Sequence, residues 1–468
     1  MSRTVSFSCE NSNTSNSANS GIVASQSFRP YTIGQLFTGK SLVGSVTVFL
    51  FLVLVTSCSM SKRISKQADQ VLFKDTAISS GHIGISIYDP ATNTYIYDHD
   101  AAKYFVPASN TKLFSLYAGL KYLGDSVPGL RYDMDNGGAV RIQPTGDPSF
   151  LHPDFSSQPV FTFLSNYKNI TFTNFFFTDN FLGRGWAWDD HKESYMTQRS
   201  NLPMYGNLIT LRKQYNTIGI VPYSLKFLLS EATDIKSGFD VVKHWDNNIL
   251  TITPGTNQLL QVPFSPNALD VVGMLQDTLH AMINPDLDFT GKLKNVVYSR
   301  PVDSLFIPMM HRSDNFFAEQ TLMMASNEFL GVMNDRKLID TLLQTYLKDL
   351  PQVPKWVDGS GLSRYNLVTP QSVVFLLNKM KNEFGLERLK TILPTGGEGT
   401  LTAYYKKDAG FIFAKTGTLS NHCALSGFLI TKKNRLLIFS VLANNYKTSA
   451  TPVRRAIEQF LTGIRERY

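Results

Sequence analysis

A serine and a lysine three positions apart, in Ser109-Asn110-Thr111-Lys112, stand directly after Phe105-Val106-Pro107-Ala108. They open a segment in which Leu113, Leu116, Tyr117 and Leu120 recur at helical spacing, with Gly124 as a stop signal. A helix built on that stripe carries Ser109 and Lys112 on one face, so the amine reaches the hydroxyl. A serine alkoxide needs a base at neutral pH, and a lysine serves when burial or a neighbouring cation lowers its pKa toward 7. The helix N-terminus adds partial positive charge and free N–H groups for a developing oxyanion. The same Ser-x-x-Lys pattern recurs at Ser59–Lys62 and Ser165–Lys168. Neither of those opens a long apolar-periodic helix after a Pro-Ala turn.

Two further motifs follow in chain order. Ser313-Asp314-Asn315 opens a helical pattern. All three residue types cap helices well, and capping alone would explain the triplet. Ser265-Pro266-Asn267 is a rival Ser-x-Asn, but its proline suits a loop. Lys415-Thr416-Gly417-Thr418 lies on a strand-like run and holds the only Lys-Thr-Gly of the chain. A Lys and a Thr beside a Gly can bind a terminal carboxylate, and the Gly lets substrate backbone approach closely. Taken singly, that run is a strand with one exposed lysine.

With 468 residues, the chain is expected to form two or three domains. Residues 82–99 read as a β-hairpin around Asp89-Pro90-Ala91-Thr92-Asn93. Helix returns at 305–330, 336–350 and 371–392, three strand-like runs fill 410–445, and a helix from Pro452 to about Arg465 closes the chain. Between them, 125–290 is rich in Asn, Asp, Gly, Phe and Thr, with short alternating runs. The expected organisation is therefore α+β. One catalytic domain takes in 80–124 plus 291–468, and a mainly β insertion of one or two small subdomains spans 125–290.

The N-terminal part reads as an address. Residues 1–57 comprise a Ser/Asn-rich extension without apolar period, expected to be disordered, and an apolar run from Leu42 to Val55 preceded by Lys40. That run is too short to span a bilayer and fits a secretory signal. Val55-Thr56-Ser57-Cys58 resembles a relaxed lipobox, which makes Cys58 a lipidation site and the means of membrane attachment in the cell envelope or periplasm. Residues 58–79 then read as a tether. Cys9, Cys58 and Cys423 are far apart, and the histidines do not cluster, so neither a metal site nor a disulfide framework is expected. No cofactor is implied. The net charge is +8, of which residues 1–57 contribute +2, and no dense basic stripe points to nucleic acid.

Together and in order, Ser-x-x-Lys, Ser-Asp-Asn and Lys-Thr-Gly form the signature of penicillin-binding proteins and class A β-lactamases. Spacing separates the two, because 204 residues lie from Ser109 to Ser313 and 102 from Ser313 to Lys415. A compact β-lactamase has no room for the long first interval. From about residue 80 to 468 the chain resembles the D-alanyl-D-alanine carboxypeptidase/endopeptidase family, the class C low-molecular-mass penicillin-binding proteins (peptidase family S13). The resemblance extends to Gly146-Asp147-Pro148-Ser149, Gly185-Trp186-Ala187-Trp188-Asp189-Asp190 and Asp358-Gly359-Ser360-Gly361-Leu362-Ser363-Arg364. It implies a β-lactamase/transpeptidase-like serine hydrolase domain that acts on peptidoglycan peptides and is acylated by β-lactam antibiotics. Ser109 would be the nucleophile and Lys112 its base, with Ser313 relaying a proton to the leaving group and Asn315 holding the acyl peptide. Lys415 would supply positive potential that keeps Lys112 partly neutral. Thr416, Gly417 and Thr418 would bind substrate, and the N–H groups of Ser109 and Thr418 would form the oxyanion hole. Asp190 would recognise the free amino end of a diamino-acid side chain; by itself it also reads as a solvated turn acid. Asp147 and the 358–361 stretch read first as turns.

Two other functions use the same residues. One is a penicillin-acylated sensor with little turnover, although sensors are usually joined to a long membrane or signalling segment. The other is a β-lactamase or esterase of the same superfamily, which would need a dedicated base for the deacylating water.

Overall fold

The computed structural model describes residues 60–468, except 136, 174–176, 216, 232–238, 246 and 254–257, and for Ala268 the backbone only. The extension and apolar run of 1–57, and Cys58 itself, lie outside the described residues.

The two ends of the chain build one antiparallel sheet. Its strand order is Ile412–Leu419, His422–Ile430, Leu436–Asn444, His82–Asp89, Thr94–His99. The N-terminal hairpin thus joins the C-terminal meander through a register that runs from His82 opposite Asn444 to Tyr88 opposite Ile438. Side chains alternate across a strand, and here both faces are covered. Ile438 and Leu442 face one core, shared with Leu113, Leu116, Phe306, Phe317, Leu322, Val374 and Leu377. Leu437, Phe439 and Val441 face a second core, shared with Val453, Phe460 and Leu461 of the Ala450–Arg467 helix. Double coverage explains why Leu436–Ala443 is a nearly unbroken apolar run rather than an alternating one.

The segment expected as a tether is corrected here. Residues 60–73 are helical, and Ile64, Ala68 and Leu72 are buried in the second core. Gln67 Nε2 donates to Phe460 O at 2.8 Å, stitching this helix to the C-terminal one. The buried residues are four apart, which is a helical stripe. The polar residues around them (Lys62, Arg63, Ser65, Lys66) gave the run its linker-like look.

The region between the flanks has its own sheet and core. Met282–Asp286, Asn169–Thr173, Val140–Pro144, Ser126–Met134 and Asn295–Pro301 form five strands in that order. Two three-stranded sheets follow the same core, which holds Ile142, Phe172, Ile209, Leu250, Val262 and Leu275. The closing strand Asn295–Pro301 pairs with Ser126–Met134, so this region runs past 290 before the chain returns to the first core.

Candidate active site

Ser109 lies in a single helical turn, Ala108–Thr111, that leads straight into the helix Lys112–Tyr122. Ala108 has φ +47°, in the left-handed region that residues with a Cβ rarely occupy. The turn is held from three sides. Thr111 Oγ1 donates to Ala108 O at 2.9 Å. Asn110, fully buried, donates from Nδ2 to Lys415 O at 2.8 Å. Gly361 (φ +80°) presses against it so closely that a Cβ there would lie 1.9 Å from Ala108 O.

Lys112 is fully buried. Its Nζ is 3.0 Å from Ser109 Oγ, 2.6 Å from Asn315 Oδ1 and 2.7 Å from Ser360 O. Two of these partners are carbonyl oxygens, which can only accept. A neutral Lys112 therefore spends both N–H bonds on Asn315 and Ser360, and its lone pair faces the Ser109 hydroxyl. Burial brings this amine down to about 8, against the opposing pull of Asp358, Glu319 and Asp314.

The Ser313-Asp314-Asn315 triplet divides its work. Asp314 is the cap of the Asn315–Leu330 helix, accepting from Phe317 N at 3.0 Å. Ser313, at φ +63°, sits in the break between that helix and Asp303–His311. Its Oγ accepts from Lys415 Nζ at 2.8 Å. Asn315 Nδ2 donates to Tyr195 O at 2.9 Å, so the amide is fixed with its oxygen toward Lys112. The rival Asn267 is only a cap, accepting from Leu269 N and Asp270 N.

Lys415 is fully buried on the edge strand Ile412–Leu419, and its second bond runs to Thr416 O at 2.7 Å. Burial first, and then the charges of Lys112 and Arg454, hold it well below the usual lysine range. Gly417 faces the nucleophile turn, where a Cβ would meet Pro107 O at 2.6 Å. Thr418 lines a cleft of about 400 Å³ together with Ser109, Asp190, Tyr195, Asn315 and Arg364. Thr416 does not line that cleft; its hydroxyl donates to Thr400 Oγ1 at 2.8 Å. Asp190 belongs to the short turn Trp188–Asp190 and lines the same cleft as Tyr195.

Asp358 shapes the neighbouring loop. Its carboxylate accepts from Gly361 N at 2.8 Å, Ser363 N at 2.7 Å, Asn366 Nδ2 at 2.7 Å and Trp186 Nε1 at 2.9 Å. Trp186 thus ties the loop that carries Asp190 to the loop that carries Ser360. Asp147 is buried in its own turn, accepting from Ser149 N and Oγ. Sequence reasoning gave no separate role to Tyr195, Arg364 or Glu319. Arg364 ends the quoted Asp358–Arg364 motif, which is the signal that could have found it.

A two-faced antiparallel sheet, helices on either side, and a Ser–Lys pair at the head of a buried helix define the β-lactamase/transpeptidase class of penicillin-binding fold. The chain matches the D-Ala-D-Ala carboxypeptidase 3 (S13) family over residues 64–464, and it belongs to that family of hydrolases. It is 24% identical over 445 residues to a D-alanyl-D-alanine carboxypeptidase of Actinomadura sp. (strain R39), covering 81% of this chain and 80% of that one. It is 22% identical over 420 residues to the D-alanyl-D-alanine carboxypeptidase DacB of Haemophilus influenzae, covering 76% of this chain and 84% of the relative. Among solved structures, penicillin binding protein 4 (dacB) from Haemophilus influenzae superposes with a TM-score of 0.68 at 21% identity, covering 86% of this chain and 98% of that one. The same protein complexed with a novel β-lactam superposes with a TM-score of 0.65 at 18% identity.

Proposed function

We propose that the protein is a serine-type D-Ala-D-Ala carboxypeptidase, with DD-endopeptidase action on cross-linked peptides, that cleaves peptidoglycan stem peptides through an acyl-Ser109 intermediate. The observation that carries this reading is the orientation of Lys112. Its two carbonyl acceptors leave one direction for a lone pair, and Ser109 Oγ lies there at 3.0 Å. With the amine at about 8, roughly a tenth of the molecules hold it neutral at pH 7.

Ser109 Oγ loses its proton to Lys112 and attacks the carbonyl of the penultimate D-alanine. The oxyanion that forms meets the N–H groups of Ser109 and Thr418. Ala414 N–H points outward from the sheet to Pro394 O at 3.0 Å, and alternation along the strand turns the Thr418 N–H the same way. The departing amine needs a proton. Ser313, bonded to Lys415, relays to the departing amine the proton that Lys112 took from Ser109 as the C–N bond breaks, which returns Lys112 to its neutral form. Water then attacks the acyl ester and restores Ser109. A β-lactam follows the first step but cannot diffuse away after its ring amide opens, leaving a long-lived adduct.

Asn315 holds the acyl peptide, while Gly417 and Thr418 line its path. Thr416 supports the strand through Thr400. Asp190 and Arg364 place opposite charges in the cleft of Ser109. That pairing suits the amino and carboxylate groups of a diaminopimelate-type side chain. The family's substrate chemistry supports a place in the cell envelope, and the lipobox-like Val55-Thr56-Ser57-Cys58 run supports anchoring by a lipid on Cys58.

The test is intact-mass analysis after incubation with benzylpenicillin. Wild type is expected to gain one penicilloyl group and Ser109→Ala none. Labelling of Ser109→Ala at another residue would overturn the assignment of the nucleophile.

A further inference from the structure

Glu319 is a fully buried carboxylate on the Asn315–Leu330 helix, one turn after Asn315. Burying a carboxylate is costly unless it is paired and hydrogen-bonded. One oxygen accepts from Ser360 N at 2.7 Å. The other has no hydrogen-bond partner and faces the Arg199 guanidinium, whose Nε lies 3.8 Å away. Arg199 is itself buried and comes from the inserted region. Its Nη1 donates to Asp335 Oδ2 at 2.6 Å and lies 3.5 Å from Asp179. Ser360, whose N–H goes to Glu319, gives its carbonyl to Lys112 Nζ at 2.7 Å. The turn has no slack, because a Cβ on Gly359 would lie 2.7 Å from Ala318 O.

We infer that Glu319, ion-paired with Arg199, is a positioning residue for the Ser109–Lys112 pair, holding Ser360 with its carbonyl on the Lys112 amine and setting the charge beside that amine. The inserted region thereby governs the base through Arg199. This rests on the reading of Lys112 as the base that activates Ser109.

The charges around the pair set the direction. Asp358, Glu319 and Asp314 each favour protonated Lys112, while burial opposes it. Lys415 lies on the other side of the cleft and is disfavoured as a cation by Lys112. Glu319 is pushed up by burial and by Asp358 and pulled down by Arg199. Removing the Glu319 charge therefore releases the Lys112 proton at lower pH.

The experiment is the pH dependence of penicillin acylation, followed by stopped flow and counted by mass so that only competent molecules are scored. Glu319→Gln keeps an acceptor for Ser360 N–H but loses the charge. Its acid limb is expected to move down by about 0.5–1 pH unit, with the plateau rate lowered up to about tenfold. Arg199→Gln, which leaves the buried Glu319 without its cation so that it takes up a proton, moves the limb the same way. Arg199→Lys restores the wild-type limb. A limb that stays in place in both charge-removing variants would overturn the inference, since a merely structural role lowers the rate at every pH alike. Failure of both to fold would also overturn it, making the pair a requirement of the fold rather than of the amine. Wild type that takes no penicillin at all would defeat the proposed function instead.

Discussion

Lys415 and Ser313, 102 residues apart in the chain, are joined by a 2.8 Å hydrogen bond that runs from the edge of the sheet to the break between two helices. It gives the cleft a second Ser–Lys pair beside Ser109 and Lys112. In the proposed mechanism the first pair serves attack and the second departure. An amine leaves poorly without a proton, whereas a thiolate leaves readily. Ser313→Ala is therefore expected to lower kcat/KM for D-Ala-D-Ala peptides by about 10²–10⁴ and for a thioester analogue by far less. Steady-state kinetics on both substrates checks this, and equal losses would remove Ser313 from the proton path.

In the proposed mechanism Lys112 acts as a neutral amine. With the amine at about 8, kcat/KM is expected to climb tenfold per pH unit below that value and level off above it. Lys112→Met is expected to lose the acid limb along with about 10²–10⁴ of the acylation rate. A rate profile flat from pH 6 to 10 in wild type would contradict the role of Lys112.

Asp190 lies in the Ser109 cleft beside Tyr195. A hydrogen bond to a charged partner contributes about 1.5–3 kcal/mol. Asp190→Asn is thus expected to lower kcat/KM roughly 10–100-fold for stem peptides with a free amino side chain. The same substitution should leave side-chain-acetylated peptides nearly unaffected. Parallel assays with the two peptides decide it.

The helix over residues 60–73 belongs to the folded body. Leu72 is fully buried in the core shared with Phe460 and Leu461. Leu72→Ala is expected to cost roughly 2–5 kcal/mol of stability, measured by urea or thermal unfolding. A change below about 0.5 kcal/mol, the range of exposed substitutions, would show that this helix does not pack as described.

What could be read from the sequence follows how far apart the partners are. Ser109 and Lys112 are one turn apart, so local periodicity was enough to pair them. The strand runs of 410–445 and the hairpin of 82–99 carried their own turn signals. Thr416 was harder, because Gly417 lies against the nucleophile turn and Thr418 lines the Ser109 cleft while the Thr416 hydroxyl turns to Thr400. The Ser313-Asp314-Asn315 triplet looked equally like a cap, and it is one, but only Asp314 does the capping. Glu319 gave no signal, since its partners Arg199 and Ser360 lie 120 and 41 residues away in the chain. The helix at 60–73 was hidden because its apolar stripe is narrow and its partner helix is the last in the chain.

The most direct test of the account is product analysis by mass spectrometry of purified muropeptides, monomeric pentapeptide and cross-linked dimer together, with wild type and Ser109→Ala side by side. The account predicts that wild type alone releases D-alanine from the monomer or splits the dimer, and that Ser109→Ala leaves both intact. Cleavage by Ser109→Ala, or unchanged substrates with a wild type that still binds penicillin at Ser109, would contradict it.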